Sequence, residues 1–333
     1  MHLSAADARR QMRVNIRCSF GPLGDVQVES VTYAAYCFRP EVAATGLACS
    51  ENTTVTCVVP ASANAKVVNV GVSINGNDVV GGPHFVPVAY PDTAQGAYTY
   101  YIAPVASQLI PPGGPVLGMT SVTVKGQGFA GLGTDIRMLA CAFTGVPGIA
   151  ISVQPDGRQM VCNTSATAPS DRRMQVSLNL QDFDEVADFT FYARPQFAAI
   201  VPTGGPTLPA YTVTLRGTRF DGMSAVTMPF TPLCQFGNRV GAVVSQTEER
   251  NPQGVLESLT VCVVPTPMHG TPGPATVRLA INGQDFDDGM TDNPAAYTAL
   301  TGREPEPTRY LYYRQQLDTL VPVGGPTEGG TSI

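Results

Sequence analysis

The chain has 333 residues, a formal net charge of −6 and only 14% charged residues. A negative balance without a basic stripe argues against nucleic acid and anionic membranes as partners, and no apolar run is long enough to predict membrane insertion. With 34 Gly, 29 Pro, no Trp and no sustained helical periodicity, the composition predicts an all-β, turn-rich chain of roughly two to four domains.

The first recurring elements lie before residue 102. CSFG at 18–21 is followed by TCVVP at 56–60 and by the strand-like VVNVGVSINGNDV at 67–79. Asn-Gly within a β-rich stretch is a strong hairpin signal. The aromatic segment YTYY at 98–101 ends this series and predicts a closing strand.

The same order returns behind a new opening segment, LIPPGGPVLGMTSVTVKGQGF at 109–129. Pro and Gly-Gly-Pro predict a turn. The alternation that follows predicts a strand with Val122 and Val124 on one side, and Phe129 is expected to anchor it in a core. The remaining elements of this copy are CAFT at 141–144, VCNTS at 161–165, MQVSLNLQDFDEV at 174–186 and FTFY at 189–192.

A further copy opens with IVPTGGPTLPAYTVTLRGTRF at 200–220, where Val213 and Leu215 share one side of the predicted strand and Phe220 is the anchor. Its other elements are CQFG at 234–237, VCVVP at 261–265, ATVRLAINGQDFDD at 275–288 and YLYY at 310–313. LVPVGGPTEGGTSI at 320–333 repeats the opening segment again. A motif order that returns in this way predicts a repeat protein.

The repeat divides the chain into four predicted segments, at 1–103, 104–195, 196–315 and 316–333. The first lacks its N-terminal strands, since residue 18 is already at the C-x-F-G element, and the last is the start of a further unit. We therefore expect a window of a longer array. Short connections leave little slack between copies, so the units are expected to stack end to end as a semi-rigid rod.

Each copy ends on a pair of aromatic residues. Successive side chains of a strand point to opposite faces, so one ring of each pair is expected in the core and the other against a neighbouring unit. A carbohydrate-binding platform is the alternative interpretation. The pairs are Tyr100–Tyr101, Phe191–Tyr192 and Tyr312–Tyr313.

The eight cysteines fit the repeat. In each copy one cysteine lies in a C-x-F element and another in a V-C or T-C element, with a segment of variable length between them. The first unit holds four, interpreted as an outer and an inner pair. The predicted disulfides are Cys18–Cys57, Cys37–Cys49, Cys141–Cys162 and Cys234–Cys262. Paired cysteines indicate an oxidising compartment, and the glycosylation sequons at Asn52 and Asn163 fit a secreted or cell-surface glycoprotein.

The ordered motifs I-x-P-x-x-G-P, V-T-V-x-G-x-G-F, C-x-F-G, V-C-x-x-P, V-x-V-x-x-N-G-x-x-F and F-x-Y-Y resemble the IPT/TIG domain, an immunoglobulin-like β-sandwich. The resemblance covers nearly the whole chain. It implies tandem sandwiches like the extracellular arrays of plexins, Met-type receptors and fibrocystin-like ciliary proteins. The chain departs from the pattern at Thr144, where Gly is usual, and at Leu180, where Asn-Gly is expected.

Catalytic chemistry finds little support in the sequence. His2, His84 and His269 stand in Gly/Pro-rich or terminal surroundings, without a metal-binding spacing or a nucleophile motif. We therefore predict a non-enzyme without a cofactor.

Two carboxylate clusters occupy equivalent turns, QDFDE at 181–185 and QDFDD at 284–288. They are interpreted as solvated turns whose Phe183 and Phe286 enter the core. Weak calcium binding by oxygen ligands is the alternative. Its ligands would be Asp182 and Asp184 in one turn and Asp285 and Asp287 in the other.

The leading functional hypothesis is a structural or adhesive segment of a large extracellular glycoprotein, in a surface coat or filament. Low surface charge suggests cover by glycans, by other copies of the array or by neighbouring surface glycoproteins, and exposed sheet edges allow strand addition. The resemblance to fibrocystin-like proteins implies a ciliary or flagellar surface. A spacer in a receptor ectodomain is the alternative. The TIG domain of DNA-binding factors is disfavoured by a pI near 5.1.

Overall fold

The computed structural model describes residues 17–32, 54–73, 86–87, 97–208, 211–220, 231–250, 252, 254, 256–267, 270–290, 306–314 and 319–332. Regular structure in these ranges is β-strand apart from short 3₁₀ turns such as Gly21–Leu23 and Ile136–Met138, which confirms the predicted all-β class. Among these residues no helix is long and apolar enough to cross a bilayer. The chain forms two compact units, Met1–Ala103 and Pro104–Ile333.

The N-terminal unit contains seven described strands: β1 (Arg17–Ser19), β2 (Asp25–Thr32), β3 (Thr54–Cys57), β4 (Lys66–Asn69), β5 (Gly71–Ser73), β6 (Val86–Pro87) and β7 (Ala97–Tyr100). Five of them form a sheet in the order β3-β2-β1-β5-β6, and β4 pairs with β7. The buried cluster between them is formed by Cys18, Phe20 and Val68, with Tyr98 and Tyr100 packed against it. Of the predicted site residues in this unit, Cys37, Cys49 and Asn52 lie outside the described residues.

The second unit begins with a sandwich that we call the middle lobe, residues 105–192. Its strands are β8 (Val105–Ile110), β9 (Gly113–Pro115), β10 (Ser121–Gln127), β11 (Ala140–Phe143), β12 (Val146–Pro147), β13 (Ile149–Val153), β14 (Gln159–Asn163), β15 (Ser170–Ser177) and β16 (Asp184–Tyr192). One sheet has the order β13-β14-β10-β8 and the other the order β12-β11-β15-β16-β9. All pairs are antiparallel except β9, which runs parallel to β16.

Residues 196–313 form what we call the C-terminal lobe. Its strands are β17 (Gln196–Val201), β18 (Gly204–Pro206), β19 (Tyr211–Thr218), β20 (Leu233–Phe236), β21 (Arg239–Arg250), β22 (Leu256–Val264), β23 (Gly273–Ala280) and β24 (Arg309–Tyr313). They form one eight-stranded sheet in the order β17-β19-β22-β21-β20-β23-β24-β18. Strand β21 joins its two halves, since it pairs first with β20 and then with β22.

The alternation in the opening segments produces the two cores. Val122 and Val124 of β10 are fully buried, and the equivalent Val213 and Leu215 of β19 are buried in the C-terminal lobe. Phe129 and Phe220 are buried as well, which confirms their predicted role as anchors.

The Gly at the end of each of these strands permits a close approach of backbones. A Cβ on Gly126 would collide with the Val105 carbonyl oxygen, and one on Gly217 with that of Gln196. Each glycine thus lets the strand that opens its lobe lie directly against β10 or β19, so the repeated Gly is a packing requirement as well as a break in the alternation.

Three disulfides link described cysteines, one in the N-terminal unit and one in each lobe of the second. They are Cys18–Cys57, Cys141–Cys162 and Cys234–Cys262, with Cα–Cα distances of 6.4, 6.5 and 6.1 Å. In both lobes the bond joins the two halves of the sandwich, since Cys141 lies on β11 and Cys162 on β14. The loops that they close span 39, 21 and 28 residues, for which the chain-entropy model gives about 3–4 kcal/mol each.

Candidate functional site: the contact between the middle and C-terminal lobes

The contact between the two lobes is built on a turn that follows β23, residues 282–289. The Asn282 side chain organises it: Oδ1 accepts hydrogen bonds from the backbone N–H groups of Gln284 (3.1 Å) and Asp285 (2.9 Å), and Nδ2 donates to Asp285 Oδ2 (2.8 Å). Asn favours such turns because its side chain can imitate a backbone turn. Gly283 adopts a φ of 72°, the left-handed conformation that Gly tolerates without steric cost.

Polar groups of this turn bind the start of the middle lobe. Thr120 Oγ1 donates to Asp285 Oδ2 at 2.6 Å, and Asn282 Nδ2 donates to the Gly113 carbonyl at 3.1 Å. Gln284 Nε2 donates to the Ser121 carbonyl at 3.2 Å. Thr120 and Asn282 are 0% and 1% exposed. The contact therefore uses desolvated groups, which are costly to leave without a partner.

An ion pair holds the connection between the lobes. Arg194 donates from Nε and Nη2 to the two carboxylate oxygens of Asp287, at 2.6 and 2.9 Å, and from Nη2 to Asp288 at 3.2 Å. The side chains of Arg194 and Asp287 are 19% and 10% exposed. A bidentate arrangement of this kind fixes orientation as well as distance. The connecting segment is thus tied to the turn.

Tyr192, the last residue of β16, passes from one lobe into the other. Its ring is 4% exposed and belongs to the hydrophobic cluster of the C-terminal lobe, together with Ile200 and Tyr310. For the pair Phe191–Tyr192 this confirms the expectation that one ring lies in the core and the other packs on the neighbouring copy of the repeat. Burial in the first place, and then the charge of Asp285, raise the pKa of its hydroxyl far above the ordinary value; the Asn282 backbone has a smaller opposite effect, and the charge of Asp287 adds the smallest increase.

The turn ends at Gly289, whose carbonyl accepts a hydrogen bond from the Phe197 backbone N–H at 2.9 Å. A Cβ on Gly289 would lie within the Phe197 ring, and the residue has a φ of 68°. The Phe197 ring in turn packs edge-on against Phe220 at a centroid distance of 5.7 Å. Gly289 is therefore what allows the turn to lie against β17.

The middle lobe has the same turn at residues 179–185. Asn179 Oδ1 accepts from the backbone N–H groups of Gln181 (3.0 Å) and Asp182 (2.9 Å), and Nδ2 donates to Asp182 Oδ2 (2.8 Å). Leu180 takes the left-handed conformation of Gly283, with a φ of 66°. The departure from Asn-Gly therefore leaves the turn geometry unchanged.

The expectation that both phenylalanines of the carboxylate clusters enter the core is wrong for Phe183, which is 42% exposed. Phe286, its equivalent, is partly buried. The difference between the two copies coincides with the contact that residues 282–289 make with the middle lobe.

The clustered carboxylates serve this contact. Asp285 accepts from Thr120 and Asn282, and Asp287 is bound to Arg194. Within the described ranges no group of three or more His, Cys, Asp or Glu side chains is arranged to hold a metal ion. Burial, and then the charge of Asp182, raises the pKa of Asp184 in the other turn. The observed role of the acidic cluster at 284–288 is therefore to accept donors from Arg and Thr.

Asn163 of the second sequon ends β14 and is partly buried, with a buried Oδ1. The next residue, Thr164, is 1% exposed and accepts a hydrogen bond from the Thr120 N–H at 3.1 Å. The sequon is thus part of the same region of the middle lobe as the contact. Glycosylation of Asn163 and of Asn52 stays a prediction.

Sequence reasoning missed the roles of Thr120 and Arg194. A signal for them exists in retrospect: an acidic turn recurs in the second and third copies, and a single Arg lies in the short segment after Tyr192. Opposite charges at a junction favour a contact. No alternation or spacing rule, however, says which hydroxyl faces which carboxylate.

Comparison with solved structures finds distant similarities, all at low sequence identity. The plexin A4 full extracellular region is 14% identical, with 96% of this chain and 24% of that chain covered and a TM-score of 0.42. Invasin, a bacterial integrin-binding protein, is 10% identical over 81% of this chain and 50% of its own, with a TM-score of 0.20. The D0-D1 domain of intimin is 13% identical, with 54% of this chain and 90% of that chain covered and a TM-score of 0.21.

The chain thus spans about a quarter of the length of the plexin A4 extracellular region. No protein-family model matches it, and no curated protein does either. At these identities and TM-scores the function has to be argued from the residues of the chain itself.

Proposed function

We propose that the chain is a non-catalytic structural and adhesive segment of a large extracellular repeat glycoprotein, built from IPT/TIG-like sandwiches that stack end to end as a semi-rigid rod. The observation that carries this proposal is the contact between the middle and C-terminal lobes. There Tyr192, the Arg194–Asp287 ion pair and the Thr120–Asp285 hydrogen bond hold two consecutive copies of the repeat together.

The energetics of the contact support a rod over flexibly linked beads. Isolated surface ion pairs contribute little, but Arg194 and Asp287 are largely buried and joined through two donors. A buried aromatic ring and buried hydroxyl and amide groups surround them. Such a combination favours one orientation, because any tilt of the lobes leaves desolvated polar groups without partners.

The cysteine chemistry supports an extracellular location. Six cysteines form disulfides inside their own unit or lobe, and all of them except the partly buried Cys57 are buried. Structural disulfides persist in oxidising compartments and are rare in the cytosol. In this setting the partners of the segment are proteins, either further copies of the array or neighbouring glycoproteins. A ciliary or flagellar surface is a finer proposal that rests on the family resemblance alone.

A receptor ectodomain spacer is the second candidate. The same observation favours it, since a spacer that positions a ligand-binding domain also needs a fixed orientation between consecutive lobes. The two candidates differ in their neighbours. A coat or filament segment should cross-link mainly to other copies of itself on the native cell, and a receptor spacer to a ligand or co-receptor.

The proposal is tested on protein from its native source. Intact, non-permeabilised cells are labelled with an antibody against the chain and shaved with protease, and unreduced peptides are mapped by mass spectrometry before and after glycan removal. We expect surface labelling, protease-sensitive signal and cross-linked Cys141–Cys162 and Cys234–Cys262 peptides. Free thiols at these positions together with label only after permeabilisation would overturn the extracellular assignment.

A further inference from the structure

Both lobes of the second unit close their sandwich in the same way. In the middle lobe β9 runs parallel to the end of β16, with Pro115 opposite Tyr192. In the C-terminal lobe β18 runs parallel to the end of β24, with Pro206 opposite Tyr313. Tyr313 is therefore the structural equivalent of Tyr192.

In each copy the second Gly of the Gly-Gly-Pro segment lies directly against the hydroxyl group of a residue six positions later. A Cβ on Gly114 would collide with the Thr120 hydroxyl, and one on Gly205 with the Tyr211 hydroxyl. The turn at residues 319–332 repeats the relation between Gly325 and Thr331. Tyr211 thus offers a hydroxyl donor where the middle lobe has Thr120, the residue that binds Asp285.

The two equivalent surfaces differ in what lies over them. Tyr192 is covered by the following lobe and is 4% exposed, and Tyr313 is 40% exposed. Leu208 follows Thr207, whose backbone N–H donates to the Tyr313 carbonyl at 2.9 Å, and it is 68% exposed. The Tyr211 hydroxyl contacts that of Tyr310 and donates to the Pro206 carbonyl at 3.3 Å. We call the set Gly204–Pro206, Leu208, Tyr211 and Tyr313 the open end of the C-terminal lobe.

We propose that the open end is the docking surface for the Asn-x-x-Asp turn of a following copy of this repeat unit. This inference rests on the proposed function and names the partner of one of its surfaces. By analogy with the observed contact, the Asp of the incoming turn accepts from the Tyr211 hydroxyl, which exchanges its long 3.3 Å hydrogen bond to the Pro206 carbonyl for this one. The Asn amide donates to the Gly204 carbonyl, and the incoming lobe covers the Tyr313 ring.

Three observations select this occupant. The Asn-x-x-Asp turn has the same internal hydrogen bonds at Asn179 and at Asn282, so both lobes carry it in the same form. The Gly204 carbonyl and the Tyr211 hydroxyl also match that turn, because they occupy the positions of the Gly113 carbonyl and the Thr120 hydroxyl, which bind the amide and the carboxylate of the turn at residues 282–285. Arg314, exposed next to Tyr313, supplies a cation near the place that Arg194 occupies after Tyr192.

The test extends the chain by one unit of its own sequence. A second copy of residues 193–313 is fused directly after Tyr313 in place of residues 314–333, so that its Arg194 supplies the cation instead of Arg314 and the Tyr-Ala-Arg-Pro junction found at residues 192–195 is reproduced. Surface tyrosines are then nitrated with tetranitromethane and quantified by peptide mapping. Tyr313 at the new junction and the equivalent Tyr at the new C-terminal end fall in different peptides, so the second is an internal standard for an exposed ring.

We expect nitration of the junction Tyr313 to fall about tenfold toward that of Tyr192, in line with exposures of 40% and 4%. Asp285→Ala in the appended copy should restore the nitration of the junction Tyr313, because the incoming turn loses its hydrogen-bond acceptor. Glu248→Ala in the same copy is the matched control, since that carboxylate is exposed on β21, and it should leave the protection unchanged. The appended Tyr310, buried in the core, has to stay protected, which reports that the added unit is folded.

Equal nitration of the junction Tyr313 and the terminal Tyr, with Tyr192 still protected, would overturn the docking proposal and leave the proposed function standing. Nitration of Tyr192 itself would have a different meaning. It would show that consecutive lobes do not stay in contact, and the rod proposal would then fail as well.

Discussion

The hydroxyl of Thr120 donates a 2.6 Å hydrogen bond to the Asp285 carboxylate across the boundary between two consecutive lobes. Thr120 is completely buried, and its backbone N–H is bound to the Thr164 hydroxyl. The same carboxylate oxygen accepts from Asn282 at 2.8 Å. One small side chain thus connects the opening segment of a repeat to the acidic turn of the next repeat.

Thr120→Val replaces the hydroxyl by a methyl group of similar size and leaves Asp285 with one donor fewer. Hydrogen bonds to charged groups contribute about 1.5–3 kcal/mol, and an unsatisfied buried acceptor adds a penalty. We expect faster amide hydrogen exchange in residues 113–121 and 282–289, with the interiors of both lobes unaffected. Thr212→Val, at an exposed position of β19, is the matched control. Unchanged exchange in both segments would contradict a role for this bond in the contact.

Arg194→Lys keeps the charge between the lobes and loses the two-point geometry. Lys is a single ammonium group and cannot reproduce the fork that binds both oxygens of Asp287. We expect greater cleavage of the connection by limited proteolysis and a loss of about 1–3 kcal/mol in the free energy of opening it.

Arg137→Lys is the matched control for this variant. Arg137 also binds a carboxylate, that of Asp135, but the two side chains are 86% and 44% exposed. Solvent screens such a pair, so its replacement should leave both proteolysis and stability unchanged. Equal effects of the two substitutions would show that burial of the Arg194 pair is irrelevant.

The sequence predicted much of the fold because the information is local. Alternation in the opening segments placed Val122, Val124, Val213 and Leu215 inside, and the repeated aromatic pair pointed to Tyr192 as a residue between units. The exposed Phe183 was predicted wrongly, since a turn's orientation depends on what packs over it. The Thr120–Asp285 contact joins residues 165 positions apart, and no periodicity encodes such a pairing.

Gly289→Ala tests the close approach at the end of the acidic turn. The new Cβ would collide with the Phe197 ring, and Gly289 has a φ of 68°. A left-handed conformation costs a non-glycine residue about 1–2 kcal/mol, and overpacking adds about 1–3 kcal/mol. Gly270→Ala separates these terms, because Gly270 has a φ of 62° with open space around it. Chemical denaturation should therefore show the larger loss for Gly289→Ala, and equal losses would exclude the steric clash.

Alkaline pH should destabilise the C-terminal lobe through its buried tyrosines. Burial, followed by the negative charge that Tyr211 acquires on ionisation, raises the pKa of Tyr312 to about 12 from an ordinary 10.0. Its hydroxyl donates to the Pro265 carbonyl at 2.8 Å. Above pH 10 the unfolded chain loses this proton first, so the stabilisation present below pH 10 is lost progressively up to about pH 12.

Spectrophotometric titration of tyrosinate checks this prediction. Tyr312→Phe should remove one high-pH ionisation step and flatten the fall of unfolding free energy between pH 10 and 12. Tyr313→Phe is the control, because this ring is 40% exposed. In that variant the high-pH ionisation step of Tyr312 should persist. A titration of the folded wild type complete below pH 11 would contradict the raised pKa.

Leu180→Gly should stabilise the middle lobe, although it removes a large side chain. Leu180 has a φ of 66°, and the equivalent position of the C-terminal lobe is Gly283 with a φ of 72°. Its side chain is 49% exposed, so the substitution gives up about half of the apolar burial of a Leu, part of which the compact unfolded chain retains as well. Relief of about 1–2 kcal/mol of backbone strain exceeds the roughly 0.4–1 kcal/mol that Gly adds to the freedom of the unfolded chain.

The reciprocal substitution, Gly283→Leu, places a side chain in the left-handed conformation within the turn that contacts the middle lobe. It should therefore destabilise by about 1–2 kcal/mol. Thermal unfolding of both variants, with unchanged near-ultraviolet circular dichroism, provides the measurement. A lower melting temperature for Leu180→Gly would mean that the exposed Leu180 side chain makes a stabilising contact outweighing the strain of its backbone.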